Sequence, residues 1–159
     1  MGRKERAKFC RLKLKRFLYL ISPNKIKINF YKDLEEVLSS NKVKYFQLRL
    51  KNYSLSSVLK IGKKIKKITK KNKVKLIIND SVDIAKKLNS DGCHLGQSDG
   101  SIKEAKAILK KRKIIGVTCH GSKKLILNAI KEKPNYLALG SFFKSKLKPN
   151  AKKAQKKLI

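Results

Sequence analysis

IINDSVDIAKKLNSDGCHLGQSD, residues 77–99, holds two short apolar runs, each followed by a polar cluster containing an aspartate, with one helix's worth of chain between them. VKLIIN (74–79) is β-rich, SVDIAKKL (81–88) has helical spacing, and GCHLG (92–96) is again a short strand. A strand, a helix and a second strand in this order form a crossover unit that joins parallel strands.

The same alternation extends outward from this unit. Upstream, RFLYLIS (16–22) is a strand stopped by Pro23, and YKDLEEVLS (31–39) places Leu34, Val37 and Leu38 on one helical face. VKYFQLRL (43–50) is a strand, and SLSSVLKIGKKIKKITKKN (54–72) is a long helix. Ser54 is able to cap that helix, and Leu55, Val58, Ile61, Ile65 and Ile68 set an apolar stripe against a lysine face. Downstream come the helix SIKEAKAILKK (101–111), the strand KIIGVT (113–118), the helix SKKLILNAIKE (122–132) and the strand NYLALGS (135–141).

Six strands in strict alternation with five helices predict a parallel sheet covered by helices. No G-x-G-x-x-G follows the first strand and no G-x-x-x-x-G-K-[ST] is present, so the dinucleotide and P-loop folds lose their signatures. The expected fold is an α/β, TIM-type (β/α) barrel, incomplete, with about six parallel strands in place of eight. A chain of 159 residues suits one domain. The expected organisation is a basic N-terminal arm at 1–15, the barrel domain at 16–148 and a basic tail at 149–159.

Cys10, Cys93 and Cys119 have neither metal-ligand spacing nor an even count, and no leader-like or 18-residue apolar segment occurs, so a soluble, cytoplasmic protein is expected. The net charge of +33 raises nucleic acid or an anionic membrane as partners. Only six of the 43 basic residues are arginine, and the lysines are spread through every helix instead of gathered in one recognition element. That pattern argues for a solvated coat, with no specific nucleic-acid partner and no membrane.

Polar residues collect where strands end: Gln47, Arg49 and Lys51; Asn79 and Asp80; Gln97 and Asp99; Thr118 and His120. Strand C-terminal ends are where barrels and doubly wound sheets hold ligands. Asp80 and Asp99 have two readings. As a converging pair they would repel unless a hard dication such as Mg²⁺ joined them; taken singly, each sits where a helix cap falls. Gln47, Arg49 and Lys51 could present an amide, a guanidinium and an ammonium to a polyphosphate, or be a solvated strand end. Thr118 could donate to a heterocycle or phosphate, or cap the next helix. His94, inside an apolar strand, reads as a satisfied core histidine, and Cys93 and Cys119 as buried small hydrophobes. Neither His94 nor His120 has the spacing of a hydrolytic triad or a zinc set. Lys144, Lys146 and Lys148 follow the sixth strand; one could reach a ligand, the others being solvated.

QLRLK (47–51), IIND (77–80), DGCHLGQSD (91–99), IIGVT (114–118) and ALGSFFKSKLK (138–148), in this order, resemble the thiamine-phosphate synthase/TenI family over roughly residues 16–148. The resemblance implies a (β/α)₈ barrel that condenses hydroxymethylpyrimidine diphosphate with thiazole phosphate, giving thiamine phosphate and diphosphate through a cation-like pyrimidine fragment. It implies Mg²⁺ as cofactor, with Asp80 and Asp99 as its ligands. Gln47, Arg49 and Lys51 match the diphosphate trio, and Arg49, Lys51 and Lys148 carry the catalytic charge. Asn79 and Thr118 match substrate-binding positions. Where the family shows G-P-x-F-x-T-x-T-K, this chain has GSFFKSKLK (140–148), with Ser141 for proline, Ser145 for one threonine and Leu147 for the other. The last two βα units of the family barrel are missing, which leads to the expectation of a shortened chain or of edges covered by another copy in a homo-oligomer. The alternatives are a TenI-like, thiazole-handling or regulatory paralogue without synthase activity, and a basic nucleic-acid-binding protein.

Overall fold

The computed structural model describes residues 16–110, 112–143 and 154. The basic arm at 1–15 and, apart from Ala154, the tail at 149–159 lie outside the described residues. Six strands alternate with five helices among those described: β1 (Leu18–Ile21), α1 (Phe30–Ser39), β2 (Val43–Leu48), α2 (Leu55–Lys71), β3 (Lys75–Asn79), α3 (Val82–Lys87), β4 (Gly92–Leu95), α4 (Ile102–Leu109), β5 (Ile114–His120), α5 (Lys123–Lys131) and β6 (Tyr136–Leu139). The strands form one sheet in sequential order, and every adjacent pair is parallel. None of the helices is long and apolar enough to cross a membrane among the described residues.

Four of the five helices start on a serine. Ser54, Ser81, Ser101 and Ser122 each accept from the backbone N–H three residues on, satisfying a donor that the first turn leaves orphaned. The other ends of the βα units are latched by short polar side chains. Asp91, just before β4, accepts from Leu76 N–H of β3 at 3.0 Å, and Asn135, just before β6, accepts from Ile115 N–H of β5 at 2.8 Å.

Side chains alternate across each strand, and the two faces differ in chemistry. Towards the helices point Phe46, Leu48, Leu76, Ile78, Cys93, Leu95, Ile115, Val117 and Cys119, all in the main hydrophobic core with Leu38 and Ile65. Full burial of a side chain such as Ile65 contributes about 1.5–3 kcal/mol. The α2 stripe is buried at Val58 and Ile65, whereas Leu55, on the first turn, remains exposed.

The opposite face carries Tyr19, Tyr45, Gln47, Ile77, His94, Thr118 and Tyr136, and it is concave. The Tyr136 ring lies 5.6 Å from the Tyr19 ring and 6.0 Å from that of Tyr45, so side chains of β1, β2 and β6 meet although β1 and β6 do not pair. The sheet is therefore an open, curled barrel. Gly116 makes room for this contact: a Cβ there would sit 1.9 Å from Tyr136 Cζ. Gly116→Ala is expected to lower stability by about 1–3 kcal/mol through overpacking, read by urea unfolding. An unchanged midpoint would show that the ring can move off the glycine.

Candidate active site

Asp80 and Asp99 follow β3 and β4, neighbours in the sheet. Asp80 N–H donates to His94 O at 2.8 Å while Ser81 N–H turns back to Asn79 O at 2.8 Å, which forces Asp80 into a left-handed conformation with φ of 64°. For a residue other than glycine this geometry is costly, and the two hydrogen bonds hold it there. Asp99 Oδ2 accepts from Gly96 N–H at 2.7 Å, a contact that a side chain at Gly96 would crowd. Neither aspartate caps a helix. Ser81 receives Ile84 N–H, and Ser101 forms a capping box with Glu104.

Instead, the Asp80 carboxyl faces that of Asp99. Burial pushes the Asp80 pKa above the usual carboxylate range, the hydrogen bond and charge of Asp99 raise it further, and the cations of Lys51 and Arg49 act in the opposite direction. One acidic pair thus lies within the field of two cations. A cleft of about 390 Å³ opens on the helix side of the pair, walled by Ser81, Asp83, Gly100, Ser101 and Ile108 as well as both aspartates. Arg49, Lys51 and Thr118 are not among its walls, so the meeting of acids and cations belongs to the strand-end side. Among the described residues no group of three or more His, Cys, Asp or Glu side chains is assembled for a metal, which leaves two carboxylates.

The trio at 47–51 does not alternate along one strand, because β2 ends at Leu48. Gln47 is 97% buried on the concave face, and its Nε2 donates to Tyr19 OH at 3.1 Å. Arg49 leaves the strand and donates from Nη1 to Asn24 Oδ1 at 2.8 Å. The buried Ser22 braces its backbone, accepting from Arg49 N–H at 2.9 Å and donating to Arg49 O at 3.2 Å. Lys51 is exposed.

Thr118 is not a cap, since β5 continues to His120 and Ser122 caps α5. Its Oγ1 lies 2.8 Å from His94 Nε2, and its carbonyl accepts from Gln97 Nε2. His94 is buried, with Nδ1 3.0 Å from Tyr136 OH. Asn79 ends β3, partly exposed beside Asp80. Lys148, Lys144 and Lys146 lie outside the described residues. Four residues of the site carry no motif of their own: Ser22 and Asn24, either side of Pro23, and Tyr19 and Tyr136, which read simply as strand aromatics.

Parallel strands curled so that acids and cations share one rim define a barrel-type α/β protein with charged side chains of both signs at its strand C-terminal ends. A family model described as thiamine monophosphate synthase matches residues 18–159, and the chain belongs to that family, TMP-TENI. A thiamine-phosphate synthase of Pelagibacter ubique (strain HTCC1062) is 58% identical over 135 residues, covering 84% of this chain and 65% of that protein. One of Erythrobacter litoralis (strain HTCC2594) is 39% identical, covering 82% of this chain and 62% of its own length. Among solved structures, thiamine phosphate pyrophosphorylase from Pyrococcus furiosus superposes with a TM-score of 0.71 at 31% identity, covering 80% of this chain and 61% of that one. The chain spans less than two thirds of the length of these relatives.

Asp80→Asn keeps a residue tolerant of the left-handed backbone and removes one charge from the facing pair. In buffer without divalent metal at pH 7 its melting temperature is expected to rise by about 1–3 °C, a small effect because the pair is partly solvated. Calorimetry showing a fall would mean that the Asp80 charge is stabilising.

Proposed function

We propose that the chain handles the condensation of hydroxymethylpyrimidine diphosphate with thiazole phosphate to give thiamine phosphate and diphosphate. The observation that carries this reading is the facing pair Asp80 and Asp99 beside Arg49 and Lys51, in a member of the thiamine monophosphate synthase family. Among the described residues the two facing carboxylates suit Mg²⁺, which takes one or two carboxylates and fills its remaining positions with water and phosphate oxygens. Asp80 and Asp99 would hold it, and when bound it supplies positive charge to the leaving diphosphate.

The residues divide the remaining work. Arg49, oriented by Asn24, and the exposed Lys51 neutralise diphosphate oxygens, with Lys148 assigned the same task. Asn79 and Thr118 hold the pyrimidine side, and Gln47 supports the floor from its buried position. The bond between the pyrimidine methylene carbon and the diphosphate oxygen breaks, with its electron pair leaving on diphosphate. The thiazole nitrogen lone pair then forms the new carbon–nitrogen bond. Fixed cations aimed at the departing oxygens favour this step because charge develops there. The +33 chain also draws polyanionic substrates towards the rim.

The test incubates the purified chain with both precursors and Mg²⁺. Thiamine phosphate formation that needs Mg²⁺ and falls at least about 100-fold in Asp99→Ala is expected, with a loss of about 10–100-fold in Arg49→Met. Mg²⁺-dependent binding of the pyrimidine diphosphate without product would point to an incomplete enzyme that holds this substrate without turnover. Absence of both overturns the site assignment.

A further inference from the structure

On the concave face, five side chains from five different strands form one hydrogen-bonded row. Gln47 Nε2 lies 3.1 Å from Tyr19 OH, Tyr19 OH 2.7 Å from Tyr136 OH, Tyr136 OH 3.0 Å from His94 Nδ1, and His94 Nε2 2.8 Å from Thr118 Oγ1. The row runs from β2 through β1, β6 and β4 to β5, beneath the rim that carries Asp80 and Asp99.

Counting hydrogens gives the row a direction. The Gln47 amide nitrogen can only donate, so Tyr19 accepts from it and its single hydroxyl hydrogen goes to Tyr136. Tyr136 in turn gives its hydrogen to His94 Nδ1. A neutral imidazole that accepts at Nδ1 carries its hydrogen on Nε2 and donates it to Thr118 Oγ1. The opposite direction would leave the Tyr19 hydrogen without an acceptor in a partly buried position, which costs a desolvated donor. Burial raises the pKa of both phenols, so both keep the hydrogens that the row requires.

Tyr136 is the pivot. Its ring stacks on His94 at 5.6 Å and 18°, meets Tyr19 edge-on and lies against Gly116, so its hydroxyl is fixed from three sides. We propose that Tyr136 is a positioning residue which, through His94 held as the Nε2–H tautomer, leaves Thr118 with its own hydroxyl hydrogen to donate to a ligand at the strand ends. The tautomer stands on the row alone; the identity of the ligand as the pyrimidine diphosphate rests on the function proposed above.

The test has two arms on the full chain. His94 and His120 are its only histidines, so imidazole ¹⁵N NMR with His120→Gln for assignment reads the tautomer directly. Wild type is expected to show His94 protonated on Nε2 and bare on Nδ1, and both Tyr136→Phe and Tyr19→Phe to lose this single state. In the binding arm, Tyr136→Phe is expected to weaken pyrimidine diphosphate binding about 2–10-fold, as is Thr118→Val, and the double variant to be no weaker than Thr118→Val alone. A wild-type His94 protonated on Nδ1 overturns the inference whatever binds, and additive losses in the double variant overturn the positioning role. Wild type with the expected tautomer but no affinity for the pyrimidine diphosphate supports the row and counts against the functional reading alone.

Discussion

The phenols of Tyr19 and Tyr136, 2.7 Å apart, join the interior of a sheet whose first and last strands do not pair. The curl that permits this contact makes the strand ends share one rim. Each strand contributes one face to the helices and one to the concavity, so the curl decides which polar groups can meet. Flattening the sheet would separate His94 from Tyr136 and carry β1 away from β6, and the residues after β2, β3, β4 and β5 would project as a row instead of facing one another. Gly116, by lacking a side chain, is what allows the Tyr136 ring into the interior.

Electrostatics at the rim gain meaning from how few acids the chain has. Of ten acidic residues, several have local structural tasks: Asp91 latches β3, Glu104 completes a capping box, and Glu35 pairs with Lys71. Asp80 and Asp99 are instead set against each other. Among the described residues, neither forms a direct ion pair with a lysine or arginine. Their mutual approach, with Arg49 and Lys51 acting from outside the pair, leaves a negative focus inside a positive field.

The fold was legible because hydrophobic period changes at every element: alternation or short apolar runs in the strands, three-to-four spacing in the helices. Boundaries shifted where tertiary contacts outweighed local pattern. β5 runs past Thr118 to His120 because His120 pairs with Leu139, which Cys119 and His120 do not announce. The pairing of Asp80 with Asp99 followed from their places after adjacent strands. Their freedom from capping was not readable until Ser81 and Ser101 were seen to accept the first-turn hydrogens. Gln47 is the penultimate residue of β2, and strand alternation turns it into the concave interior, a burial that its polar character does not announce. The link from Tyr19 to Tyr136 spans 117 residues, and no local pattern encodes it.

The serine caps have a consequence for how such a chain can change over time. Ser81 and Ser101 secure their helices independently of the aspartates one and two positions before them. Helix capping and the acidic charge of the rim therefore sit on adjacent but different residues. Substitutions at the aspartates leave the serine caps in place, and substitutions at the serines remove a first-turn acceptor. A scaffold divided in this way can change the charge of its rim without passing through an unfolded ancestor.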